Sequence, residues 1–99
     1  MFKITYSSSV AADLKSFKAG ERSQILDEIE LQLCHEPSRQ TRNRKILIGL
    51  VPAWEHVPPV WELRIGDYRV FYDIDEKAGR VMVRAVRHKP PHKTTEEIL

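Results

Sequence analysis

A single cysteine, Cys34, leaves no internal disulfide framework open to this chain. It reads as a small apolar filler on a helix in a protein of a reducing, cytoplasmic compartment. No apolar run is long enough to span a bilayer, and the start, MFKITYSSSV, lacks the basic and apolar segments of a signal peptide, so no membrane association is expected. There is no glycine-rich phosphate loop and no dinucleotide fingerprint, which removes the common nucleotide-cofactor enzymes. Of the four histidines, only His88 and His92 lie close together. Pro90-Pro91 keeps that pair off one helical turn and no cysteine cluster joins it, so neither a metal nor another cofactor is expected.

What remains is an ordinary globular composition, 41% hydrophobic and 30% charged, over 99 residues, enough for one domain (1–99) with one modest core. The net charge of +2 conceals an asymmetry. Residues 1–36 carry four Lys/Arg against six Asp/Glu, whereas residues 37–99 carry twelve against eight. Two stretches are purely basic: Arg39, Arg42, Arg44 and Lys45 within 38–50, and Arg80, Arg84, Arg87, Lys89 and Lys93 within 80–93. Such clusters suit a polyanion, nucleic acid above all, although solvated loops have the same composition.

Hydrophobic periodicity predicts an α+β fold. Phe2, Ile4 and Tyr6 alternate as in a strand. Ser7-Ser8-Ser9 offers N-cap hydroxyls to a helix carrying Val10, Leu14 and Phe17, which Ala19-Gly20 is expected to stop. From Glu21 to about His35, the stripe Ile25, Leu26, Ile29 and Leu33 predicts a second helix closed by Pro37, and together the two form an αα-hairpin. Residues 38–59, broken by Gly49, Pro52, Pro58 and Pro59, read as a long irregular loop. Val60–Ile65, Tyr68–Asp75 and Arg80–His88 then predict a three-stranded antiparallel meander, and Thr94 and Glu97 a capping box for a last helical turn.

A two-residue hairpin loop at Gly66-Asp67 sets Arg64 opposite Arg69, and a loop at 76–79 sets Phe71 opposite Arg84 and Val70 opposite Ala85. One face then carries Trp61, Leu63, Ile65, Tyr68, Val70, Tyr72, Ile74, Val81, Val83 and Ala85, free of charge, and is expected to pack on the helices. The other carries Glu62, Arg64, Arg69, Phe71, Asp73, Met82, Arg84, Val86 and His88. Three guanidiniums on it are either a salt-bridge network with Glu62 and Asp73 or an anion site in which they grip phosphate oxygens while His88 transfers a proton. Trp61 falls on the core face; Trp54, in the loop, is free either to pack or to stack on a base.

The block WELRIGDYRVFYDIDEKAGRVMVRAVRHK, and within it LR.GDYRVFYDID, resembles the RelE/ParE superfamily of bacterial toxins, and the likeness extends over nearly the whole chain. It implies a microbial-RNase-like fold and a toxin of a type II toxin-antitoxin module. For the RelE branch it implies a metal-independent endoribonuclease that cleaves messenger RNA in the ribosomal A site and so inhibits translation. Arg69 then matches the phosphate-stabilising arginine, Arg64 a widespread basic position, and His88 the place of a catalytic histidine, with Glu62 expected to form a strand-surface salt bridge to Arg69 or, alternatively, to act as general base. Arg39, Arg42, Arg44, Lys45, Arg84, Arg87, Lys89 and Lys93 would contact RNA or ribosome. The expected partners are a cognate antitoxin with an acidic or amphipathic segment, the ribosome and mRNA.

Two departures from the RelE pattern stand out. Val60 and Glu62 occupy positions of RelE lysines, and no tyrosine follows Tyr72, so that Lys89 or His92 would replace a C-terminal catalytic tyrosine. A ParE-like toxin that poisons DNA gyrase, or an inert module that only binds antitoxin, are the alternative functions.

Overall fold

The computed structural model describes residues 1–99. In chain order the elements are β1 (Lys3–Tyr6), α1 (Val10–Lys15), α2 (Ala19–Leu33), β2 (Arg44–Ile46), β3 (Trp61–Ile65), β4 (Tyr68–Asp75), β5 (Arg80–His88) and α3 (Thr95–Ile98). They form one five-stranded sheet in the order β1-β5-β4-β3-β2, antiparallel except for β1 alongside β5. No helix is long and apolar enough to cross a membrane.

The helical side of the sheet follows the apolar alternation. Ile25, Ile29 and Leu33 recur at helical spacing along α2 and are buried with Val10 against Trp61, Leu63, Val70, Tyr72, Val81 and Val83. Full burial of side chains of this size stabilises by about 1.5–3 kcal/mol each. Tyr72 brings a hydroxyl into this core, where it donates to the Pro37 carbonyl at 2.8 Å. The β3–β4 hairpin has the expected register, Trp61 opposite Tyr72 through Ile65 opposite Tyr68. Gly66 makes its turn with φ +55°, a conformation that a Cβ would strain.

Several local expectations are corrected. Ala19-Gly20 begins α2 instead of ending α1, which stops at Lys15. The Ser7 and Ser9 hydroxyls do not cap α1; both donate to the Arg84 carbonyl, at 3.0 and 3.3 Å. The irregular 38–59 segment contains the three-residue strand β2, paired with β3 so that Lys45 lies opposite Glu62. At the C-terminus the capping box forms as expected, with Thr94 and Glu97 bonded reciprocally.

The largest correction is a bulge. From Asp75 opposite Arg80 to Tyr72 opposite Val83 the β4–β5 register is regular, but Phe71 then faces Ala85, and Val70 faces Val86. The expected pairs Phe71–Arg84 and Val70–Ala85 do not form, because one extra residue of β5 is accommodated there. The bulge sits where β1 runs out: β1 pairs only as far as Tyr6 opposite Val83. Beyond that point α1 and the turn before it satisfy the β5 edge, with Asp13 accepting from the Val86 amide at 3.0 Å. After the bulge every side chain changes face. Val86 enters the helical core, Ala85 joins the opposite face, Arg87 comes opposite Arg69, and His88 comes opposite Tyr68.

That opposite face is also covered in part. Phe71, expected on an open charged surface, is fully buried in a second cluster with Val60, Ala85 and Ile98 of α3, against which Leu47, Trp54 and Leu99 pack. The helices of the αα-hairpin take one side of the sheet, and α3 with the 47–57 loop takes part of the other.

Candidate functional site

On the α3 side, where β2, β3 and β4 lie next to each other, a cleft of about 340 Å³ has no hydrophobic lining residue. Its cations are Arg42 and Lys45 from around β2, Arg64 from β3, Arg69 from β4 and Lys89 just past β5. Asn43, Thr95 and one carboxylate, Glu62, complete it.

Arg64 and Arg69 face each other directly across the β3–β4 ladder. Neither forms an ion pair with a carboxylate: the ion pairs of the molecule involve Arg39, Lys45, Arg80, Arg84 and Arg87. Arg69 is 8% exposed and donates twice to backbone, to the Gly66 and Tyr68 carbonyls, each at 2.8 Å. Burial, and secondly the Arg64 charge, hold the Arg69 guanidinium below its ordinary value. Two like charges opposed on adjacent strands destabilise the fold by a few tenths to about 1 kcal/mol, and an anion between them removes that cost.

Glu62 is 3% exposed. The expected salt bridge to Arg69 is not made. One carboxylate oxygen faces the Lys45 ammonium at 3.6 Å and the other accepts from the Thr95 hydroxyl at 3.0 Å. Thr95 is brought there by α3, which Ile98 anchors in the second cluster and whose Ile98 carbonyl accepts from Arg87 Nε at 3.0 Å.

The structure brings Glu62, Arg64, Arg69, Arg42, Lys45 and Lys89 together and sends the other expected site residues elsewhere. His88 does not share the face of Arg69: the bulge turns it to the helical side, where its ring packs on Tyr68 at 5.2 Å beside a pocket of Glu21, Gln24 and Ile25. Arg44, expected on RNA, is 8% exposed and donates to the Gln32 and Glu36 carbonyls at 2.8 and 2.7 Å, closing the end of α2. Arg84 is taken by Asp73, at 2.8 and 3.3 Å, in a buried pair that also binds the Val57 amide and so pins the 47–57 loop. Arg87 is held by Asp13 at 2.7 Å. Arg39 pairs with Glu36 on the surface, and Lys93 is exposed and lines no cavity. Trp54 packs on Phe71 at 5.8 Å instead of standing free. Thr95 and Asn43 were missed, since nothing local distinguishes them; in sequence the only pointer to Thr95 is the capping box that places it at the start of α3.

Comparison with known proteins agrees on the architecture. Residues 4–89 match the family profile described as the ParE toxin of the parDE type II toxin-antitoxin system. No curated protein sequence matches at a significant level. Among solved structures, the toxin-antitoxin complex RelBE2 of Mycobacterium tuberculosis superposes with a TM-score of 0.71 at 20% identity, covering 89% of this chain and 98% of that one. The archaeal RelE-RelB complex of Pyrococcus horikoshii gives 0.68 at 20% identity, covering 94% and 98%, and the isolated RelE toxin of E. coli gives 0.67 at 15%, covering 98% and 94%. At these identities the likeness is one of fold.

Proposed function

The chain belongs to the RelE/ParE family of type II toxin-antitoxin toxins, and from that premise we propose that it is a RelE-like toxin that cleaves messenger RNA on the ribosome, using the cleft between β2 and β4. The observation that carries this reading is the pair Arg64 and Arg69, opposed and without carboxylate partners, in a cleft with three further cations and no apolar lining. A phosphodiester is the ligand that such a site lacks.

The reaction is transfer of phosphorus from the 5′-oxygen of one nucleotide to the 2′-oxygen of its neighbour. The 2′-hydroxyl attacks, the P–O5′ bond breaks, and the products are a cyclic phosphate and a free 5′-hydroxyl. Arg69, fixed by two carbonyls, and Arg64 stabilise the extra negative charge at phosphorus. Glu62, the one carboxylate of the cleft, takes the proton of the attacking hydroxyl once Lys45, which is 68% exposed, swings off it toward the phosphate. Lys89 protonates the leaving oxygen. His88 takes no part. A cognate antitoxin carrying an acidic segment would neutralise the toxin by occupying the same cations; that two of the structural relatives are complexes of a toxin with its antitoxin supports a partner of this kind.

The test is cell-free translation with the purified protein and its Arg69→Ala variant, followed by primer extension on the message. Ribosome-dependent cuts that fall by about 100-fold or more in the variant are expected, whereas His88→Ala cuts normally. The matched profile is that of ParE, so gyrase poisoning is the second reading. Intact message together with inhibited supercoiling would favour it.

A further inference from the structure

Three of the six exposed large hydrophobic side chains lie in the 47–57 loop: Ile48 and Val51 are each 85% exposed and Val57 56%. Part of this surface is a groove of about 280 Å³ at the β2 edge, lined by Ile46, Leu47, Ile48 and Leu50. Its other wall is Lys45, Glu62 and Thr95, and these same three residues line the cationic cleft. The two depressions therefore adjoin across these three side chains, a wholly polar cleft on one side and a largely aliphatic groove on the other.

A nucleotide has the same division, a charged phosphate and a flat base with apolar faces one ribose away. We infer that the aliphatic groove is a seat for the nucleobase adjoining the phosphate held by Arg64 and Arg69. This rests on the phosphodiester reading of the cleft and extends it to a subsite. Contact is through the base face, which every base possesses, so the seat is tolerant of sequence and favours purines for their larger face. No aromatic side chain lines it, and the gain over phosphate alone is correspondingly moderate. Roughly 40 Å² of apolar contact corresponds to about a fivefold gain in affinity.

The experiment is an NMR titration of the isotope-labelled full chain with inorganic phosphate, uridine 3′-monophosphate and adenosine 3′-monophosphate in turn. The expected result is affinity rising in that order, by about fivefold from phosphate to the adenosine nucleotide, with amide shifts over Ile46–Leu50 only for the nucleotides. In Ile48→Ser, a change at an exposed side chain that leaves the core alone, that advantage falls below about twofold. Equal affinity for phosphate and nucleotides, with shifts confined to the cleft, overturns the seat and leaves the phosphate reading standing. Nucleotide shifts centred on Trp54 and His56 likewise overturn it. Binding of none of the three overturns both.

Discussion

Asp73 provides the sharpest test of the β4–β5 geometry. Its carboxylate is 5% exposed and accepts from Arg84 Nε at 2.8 Å, from Arg84 Nη2 at 3.3 Å and from the Val57 amide at 2.9 Å. In Asp73→Ala the Arg84 side chain, 13% exposed, keeps only Glu55 at 3.8 Å, and Glu55 is 92% exposed and solvated. Removal of one member of a buried pair costs about 3–5 kcal/mol, because the remaining charge stays desolvated. Partial exposure of Arg84 and rewetting of the Val57 amide place the expected loss at the lower end, about 3 kcal/mol. For a chain of this length that lowers Tm by about 12–24 °C. Urea unfolding followed by far-UV circular dichroism, with an unchanged slope, measures it. The double variant Asp73→Leu, Arg84→Met should recover to within about 1 kcal/mol of the parent, since an apolar pair of similar volume carries no desolvation cost. A loss under about 1 kcal/mol in Asp73→Ala would refute the buried pair and return Arg84 to the RNA-facing set.

Two neighbours on opposite faces of β2 should separate stability from binding. Arg44→Met loses its bonds to the α2 end and should cost about 1.5–3 kcal/mol in urea unfolding without weakening phosphate binding; Lys45→Gln should do the reverse. A hydrogen bond to Glu21, with burial second, pushes the Tyr68 phenol up from 10.0 to about 12. Because the folded value is the higher one, that bond stabilises the fold fully below about pH 10 and the contribution is lost as pH rises through about 12. Ultraviolet titration of tyrosinate should show Tyr68, assigned with Tyr68→Phe, ionising well above 10, and Glu21→Gln should bring it down; an unmoved titration would exclude the bond.

The β3–β4 hairpin, the presence of α1 and α2 and the C-terminal cap were legible in the sequence for local reasons. Alternation in two strands leaves one register that buries Leu63, Val70 and Tyr72 together, and Gly66 marks the turn. Arg64 and Arg69 follow from that register alone, and they carry the candidate site. Lys45 was legible as an RNA-contacting basic residue and Lys89 also as a substitute for the C-terminal tyrosine; their convergence needed β2 and the end of β5 to be placed in space. The strand β2 itself, three residues amid prolines and glycines, is too short to show a period.

The bulge at Arg84 and Ala85 was not legible, because VRAVRH alternates equally well in either phase. Its phase is decided by contacts distant in sequence: Asp13 on the Val86 amide, the serines on the Arg84 carbonyl, and Asp73 on the Arg84 side chain. The same holds for the burial of Phe71 under α3 and for the turning of Arg44 into the end of α2. Local periodicity and turn chemistry, acting over a few residues, determined the elements, the helical core and the opposed arginines. Only the tertiary structure decided which face His88 and Arg44 occupy and that Arg84 is spent on Asp73, since a strand side chain has two faces, and long-range hydrogen bonds choose between them.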